Sequence, residues 1–234
     1  MKILALDSSA KAASVALGEN GNIIAEYFQN CGLTHSRTLM PMVSNLLANC
    51  EIKISDIGCI AVSAGPGSFT GLRIGMAAAK GIAMGANLPC CGVSTLESMS
   101  RLPVTENGIV CCTMDARRDQ VYNALFEVSG NNITRICPDR AVSLSQLADD
   151  LAKTEKKTIL VGDGAELCYN YLKNIIPVCI APPSIRIQRA SGVLAVAEEM
   201  VKRGDTVPPQ FLSPNYLRLS QAERERLKKL NKNN

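Results

Sequence analysis

The chain has no tryptophan and a single histidine, His35, and only 4% of its 234 residues are aromatic. So thin a supply of rings argues against a surface built to stack nucleic-acid bases. With one histidine, a Ser-His-Asp triad would have to use His35, and no Gly-x-Ser-x-Gly elbow accompanies it. No C-x-x-C occurs among the ten cysteines, and Cys90-Cys91 and Cys111-Cys112 are direct neighbours. Neighbours on a strand point to opposite faces, so such pairs suit neither a shared metal nor a common bridge. Reduced, buried thiols are expected instead. Lys2 is followed by four apolar residues before Asp7, too few for a secretory h-region, and no apolar run approaches membrane-spanning length. The expected location is the cytoplasm, with no membrane partner.

Charge is equally sparse in the body of the chain. The net charge is +4, and the last fourteen residues, Gln221 to Asn234, supply +3 of it through Arg224, Arg226, Lys228, Lys229 and Lys232 against Glu223 and Glu225. The body is therefore no nucleic-acid platform by bulk charge. The basic tail reads either as a solvated helix of alternating charge or as a contact to nucleic-acid phosphate. What is abundant is ordinary core material, 47% hydrophobic, enough for one large domain or two small ones.

The pattern along the chain is α/β. Ile3 to Leu6, Ser14 to Leu17 and Ile23 to Phe28 read as strands, with a turn at Glu19-Asn20-Gly21-Asn22. Thr34 is placed to cap a helix reaching Cys50, and Ile57 to Ser63 is a further strand. A glycine turn then leads into a helix ending near Gly85, followed by a short strand over Pro89 to Val93. Composition changes between Pro103 and Gly108, which predicts domains over 1–103 and 104–234. Strands follow at Ile109 to Met114, Gln120 to Val128, Ile133 to Ile136 and Thr158 to Val161. A helix from Ala190 to Arg203 ends at Gly204 and is free to pack back on the first domain. Ser94-x-x-Glu97, Ser143-x-x-Gln146, Asp163-x-x-Glu166 and Ser220-x-x-Glu223 all have the form of capping boxes.

The glycine turn, GPGSFTG from Gly65 to Gly71, fits no phosphate motif strictly. A P-loop would need Gly-Lys-Ser/Thr four residues after its first glycine, and the lysine is missing. A G-x-G-x-x-G fingerprint would need glycine where Thr70 stands, and no acidic residue lies between Gly65 and Glu97. What survives is a strand end, permissive glycines and a helix N-terminus, which either meets an anion or simply makes a tight turn. The following helix carries small residues at Gly71, Gly75, Ala78 and Ala79, large apolar ones around nearly its whole circumference, and charge only at Arg73 and Lys80. Such a helix is either core or interface.

Four stretches, ILALDSSAKAASVAL, HSRTLMP, AGPGSFTGLRIGMAAAKGIA and PNYLR, resemble the TsaB family of tRNA threonylcarbamoyladenosine biosynthesis proteins. The resemblance covers most of the chain and implies an actin-like fold of the sugar-kinase and Hsp70 type, two related α/β domains around a cleft. It implies a nucleotide-binding corner at Asp7, Ser8, Ser9, Gly65, Gly67, Ser68, Thr70 and Gly71, at which nucleotide meets the chain weakly or where subunits join. Position 8 is often threonine in the family, and Ser8 keeps the hydroxyl. The resemblance also implies a scaffold in a complex, with no resident cofactor. Its catalytic relative TsaD transfers threonylcarbamoyl to the adenosine next to a tRNA anticodon, TsaE is an ATPase subunit, and alone the chain would pair with itself. The partner face would comprise His35, Thr38, Leu39, Met42, Arg73, Ile74, Ala77 and Ala78.

TsaD carries His-x-x-x-His shortly after its glycine turn. The matching positions here are Thr95 and Met99, which cannot replace paired imidazoles around a metal, so no metal and no metallopeptidase is expected. Asp115 follows a strand and either faces the cleft or serves its turn. The rival reading is an actin-like ATPase or small-molecule kinase using Asp7 and the Gly65 turn.

Overall fold

The computed structural model describes residues 1–102 and 107–218. The predicted boundary falls on 103–106, and the Ser220 capping box and basic tail on 219–234, all outside the described residues.

Strands β1 (Lys2–Asp7), β2 (Ala13–Glu19) and β3 (Asn22–Gln29) lead to helix α1 (His35–Asn49), then β4 (Ile57–Gly65), α2 (Phe69–Ala86), β5 (Cys90–Ser94) and a short α3 (Thr95–Ser100). The second half runs β6 (Gly108–Asp115), β7 (Gln120–Ser129), β8 (Asn132–Arg135), β9 (Arg140–Ser143), α4 (Leu144–Ala152), β10 (Thr158–Val161), α5 (Ala165–Leu172), β11 (Val178–Ile180), α6 (Pro183–Arg186) and α7 (Ala190–Arg203). The first sheet has the order β3-β2-β1-β4-β5 and the second β11-β10-β6-β7-β8, with β9 also on β7. Read in the same direction these are one topology twice: an antiparallel meander, then two parallel strands added through helical crossovers. This is the α/β, actin-like architecture that the resemblance implies.

Local chemistry explains the ends. The β2–β3 turn holds Asn20 and Gly21 at φ +53° and +82°, the left-handed pair of a tight hairpin. Helix α7 stops at Gly204, φ +78°, whose N–H closes the last turn. Thr34 is the N-cap of α1 by position, but its hydroxyl makes no capping bond. Ser143 caps α4 through its hydroxyl to Gln146 N.

Alternation along the strands makes two faces on each sheet. On β1, Leu4 and Leu6 pack under α1 and α2, while Ile3 and Ala5 pack against α7. Cys90 and Cys91 divide between the same two layers, and Cys111 and Cys112 divide likewise in the second sheet, as adjacent strand residues should. The second sheet's outer face is covered by α4 and α5, and its inner face by α3 through Leu96 and Met99. The inner covers are thus exchanged. Helix α3 comes from the first half and lies on the second sheet; α7 comes from the second half and lies on the first. They cross at Gly192, where a β-carbon would sit 2.2 Å from Ser98 O, so only glycine permits that approach. Among the described residues no helix is long and apolar enough to cross a membrane.

Candidate functional site

At the C-terminal end of β1 the chain turns through Asp7-Ser8-Ser9. One Asp7 oxygen accepts Ser9 N at 2.8 Å and Ser9 Oγ at 2.7 Å, and the other accepts Ser63 Oγ of neighbouring β4 at 2.7 Å. Asp7 is 1% exposed. Burial pushes its carboxyl above the ordinary aspartate range, against the opposing pull of the Ser9 backbone and the two hydroxyls.

The glycine turn closes over this corner. Ser68 N donates to Ser9 O at 2.6 Å, and Ser8 Oγ donates to Gly71 O at 2.9 Å. β-Carbons at Gly67, Gly71 and Gly75 would lie 2.4, 2.1 and 2.4 Å from Ser9 O, Ser8 O and Ser8 Oγ. These glycines serve the close approach of α2 to the β1–β2 turn. Ser68 is the N-cap of α2, its hydroxyl accepting Gly71 N at 3.3 Å. The residues of the expected nucleotide corner are therefore neighbours, but Asp7 and Ser8 are sealed and Gly71 is buried, with Thr70 exposed on the first turn of α2. Gly67 and Ser68 border open space, and Ser9, 0% exposed, lies sealed behind them.

That space is a cleft of about 470 Å³ between the halves. Lys11 and Ser68 line it from the first half; Asp115, Arg117, Tyr122 and Asp163 line it from the second. Asp115 N donates to Asp163 Oδ1 at 3.3 Å, and Arg117 N donates to Asp115 Oδ1 at 2.7 Å. Both carboxylates thus shape the β6–β7 turn, and Asp163 does not cap α5, whose N-cap is Gly164 without a side-chain bond. The expected Asp163 capping box is corrected accordingly; its Glu166 pairs with Arg186 at 3.0 Å. Arg117, Arg118 and Asp119 hold φ of +66°, +59° and +54°, three successive non-glycine residues in the left-handed region. Each costs about 1–2 kcal/mol, so this lip of the cleft depends on outside support.

The remaining wall is the late segment Asn215 to Arg218. Tyr216 lies against Phe69 with ring centroids 4.8 Å apart, and its hydroxyl accepts Arg73 Nε at 3.1 Å. The guanidinium of Arg73 also sits 3.9 Å above the Phe69 ring. Lys11, Arg117, Tyr216 and Arg218 were not singled out by sequence reasoning. Tyr216 and Arg218 fall in PNYLR, whose proline-broken context gives no period to place it, and Lys11 falls in ILALDSSAKAASVAL; Arg117 had no signal beyond its turn.

The expected partner face divides. Leu39 and Met42 are corrected: at 1% and 7% exposed they belong to the core between α1 and the first sheet. Ile74 and Ala78 are half-buried, and Arg73 and Ala77 are exposed. Thr38 and His35 are half-buried at the start of α1; His35 Nε2 bonds to Ala10 O at 2.7 Å, and its buried Nδ1 has no partner among the described residues. Helix α2 therefore has a buried apolar side and an exposed side on which small and apolar residues stand beside Arg73 and Lys80. The first is buried through Leu72, Met76 and Ala83, and the second offers Ala77, Gly81 and Met84, the last 58% exposed.

Thr95 and Met99 lie fully buried on α3. Ser94 accepts Glu97 N at 3.1 Å, half of the predicted box. The Glu97 carboxylate instead takes Arg135 at 2.7 Å and Arg101 at 3.6 Å, joining α3 to β8, while Arg101 reaches Glu199 of α7 at 2.8 Å.

A family model described as TsaD, tRNA N6-adenosine threonylcarbamoyltransferase, matches residues 29–225. The tRNA threonylcarbamoyladenosine biosynthesis protein TsaB of Escherichia coli K12 is 33% identical over 221 residues, 93% of this chain and 95% of that one. Its counterpart in Bacillus subtilis 168 is 30% identical over 225 residues, 95% of this chain and 96% of that one. Two solved structures from Pseudomonas aeruginosa are similar throughout. One is described as an uncharacterised protein with similarity to peptidase YeaZ, with TM-score 0.80, 26% identity and coverage of 93% of this chain and 99% of that one. The other, YeaZ, has TM-score 0.77, 26% identity and coverage of 92% and 99%.

Proposed function

The chain belongs to the TsaB family of tRNA threonylcarbamoyladenosine biosynthesis proteins, and from that premise we propose that it is the non-catalytic scaffold subunit of the complex that makes this modification. Its role is to bind and support a TsaD-type transferase, with a TsaE-type ATPase joining the pair and tRNA as the substrate of the whole. It works in the cytoplasm, pairs with itself when alone, and holds no cofactor of its own; nucleotide meets it where subunits join.

The observation that carries this reading is the outer side of α2. Ala77, Gly81 and Met84 stand exposed on a helix whose other side is core. Small residues let a partner helix approach closely, and a large apolar side chain beside them supplies area to bury. The same reading accounts for Asp7, which hydrogen bonds and burial withhold from any substrate.

The test is the mass of the purified chain by size exclusion with light scattering, alone and mixed with TsaD from the same organism. A self-dimer replaced by a one-to-one heterodimer is expected. Ala77→Glu should weaken pairing by at least tenfold without lowering the melting temperature, because Ala77 is exposed. A chain indifferent to TsaD would overturn the reading. The ATPase or kinase alternative predicts ATP turnover by the isolated chain that Asp7→Ala abolishes; no turnover is expected.

A further inference from the structure

Residues 205–218 belong to neither sheet, yet they touch both halves. Val207 exchanges two backbone hydrogen bonds with Cys90 at the edge of the first sheet, 2.8 and 2.9 Å. Leu212, 2% exposed, enters the core beneath α2, and Lys80 Nζ of α2 donates to Gln210 O at 3.5 Å. Asn215 N donates to Ala64 O at 2.7 Å, and Asn215 O lies where a β-carbon on Gly65 would be 2.4 Å away. Tyr216 is held by Phe69 and Arg73. Up to this point the segment is fastened to the first half alone.

Two residues later it crosses. Arg218 Nη1 donates to Ala116 O at 2.7 Å and Nη2 donates to the side-chain oxygen of Gln120. Both acceptors belong to the β6–β7 turn of the second half, and they bracket the three left-handed residues Arg117 to Asp119. A planar guanidinium can serve two separated acceptors at once, which an ammonium cannot do with the same geometry. Ala116 N bonding to Gln120 O at 3.0 Å closes the turn from inside, and Arg218 braces it from outside.

We propose that residues 205–218 form a tie across the cleft, with Arg218 as its clasp, that holds the two halves at one separation. The halves are also joined at the α3–α7 crossing, by Arg101–Glu199 beside it, and by Ser94 Oγ, which donates to Asp139 Oδ2 at 2.6 Å. Arg218 adds a further point of attachment, across the cleft, that restrains their relative rotation. The cleft is then a recess of fixed width, and the lip at Arg117 to Asp119 keeps its shape only while the clasp is shut. The tie is a property of the isolated chain and stands or falls independently of partner docking. Since Gln210 and Tyr216 are fastened to α2, a partner seated on the exposed side of that helix would lie beside the tie.

The experiment measures the distance between spin labels carried by noncanonical amino acids at positions 44 and 149, exposed sites on α1 and α4 that leave the native cysteines untouched. The unaltered chain should give one narrow distribution. Arg218→Ala should broaden it or move its mean by several ångströms, and speed amide exchange over residues 115–122 at least tenfold. Arg218→Lys should fall between the two. Should Arg218→Ala fail to fold, Gln120→Ala removes one acceptor and is expected to shift both readouts in the same direction by less. A distribution unchanged in a folded Arg218→Ala, or in Gln120→Ala if that variant is the one that folds, would overturn the tie.

Discussion

The two halves share a strand order and diverge at the same corner. Asp7 ends β1 and Asp115 ends β6, equivalent positions in a repeated topology. Asp7 is enclosed by two serine hydroxyls and a backbone N–H and covered by a helix that approaches through glycine. Asp115 is exposed, and its turn continues through three left-handed residues beside open space. One corner has been closed into core and the other left as the lip of a cleft. Topology alone does not assign a site; the packing around each strand end decides whether its carboxylate can meet a ligand.

That contrast can be broken most forcefully at its glycines. Gly71→Ala drives a β-carbon to 2.1 Å from Ser8 O, a backbone atom that cannot yield alone. A loss of about 3 kcal/mol or outright misfolding is expected in urea denaturation. Gly164→Ala, in the corresponding turn before α5, meets Met114 C at 3.0 Å, and about 1 kcal/mol is expected. Equal losses at the two sites would show that the first corner is no more tightly closed than the second.

The aspartates come next. Asp7→Ala leaves three buried donors unanswered and should cost about 2–3 kcal/mol, while Asp115→Ala should stay within about 0.5 kcal/mol. Acid sharpens the difference. Because burial raises the folded Asp7 carboxyl above its ordinary 3.8, its proton is held more tightly in the folded chain than in the unfolded one. The stabilisation from that proton is fully present below 3.8 and is lost as pH rises through the raised value. The native chain should therefore gain on Asp7→Asn as pH falls from 7 towards 4, read from paired denaturation midpoints. A gap that narrows on acidification would mean that the hydroxyls outweigh burial.

The smallest effects belong to the ion pairs. Arg135, held by Glu97 and Asp139 at 2.7 Å each and 30% exposed, should cost about 1 kcal/mol on change to methionine, and less in high salt. Lys153→Ala removes a 3.7 Å contact to Asp150 from a side chain that is 75% exposed, and a change within about 0.5 kcal/mol is expected.

Much of the fold was legible because its signals are local. The Asn20-Gly21 turn, Gly204 as the stop of α7, Thr158 to Val161 as a strand and the division of adjacent cysteines between faces all follow from periods and turn chemistry. The misses are long-range. Glu97 gives its closer ion pair to Arg135, 38 residues away, and Asp163 serves a turn 48 residues earlier. Neither choice leaves a mark in neighbouring sequence. Leu39 and Met42 are apolar residues on an apolar stripe, and only the sheet beneath shows that they are covered. At the candidate site the glycines were legible as a turn, but their reason, contact with Ser8 and Ser9, spans some sixty residues.

The exchange of α3 and α7 sets an order of events during synthesis. When the ribosome has finished β5, the first sheet has its outer helices but an uncovered inner face, since Ile3, Ala5, Cys59 and Val93 await Val193 and Ala197. Roughly a hundred further residues must be polymerised first, about 5–20 s at ordinary rates of synthesis. Through that interval the nascent chain carries a bare apolar sheet, and a messenger slowed within the second half would prolong its need for a chaperone.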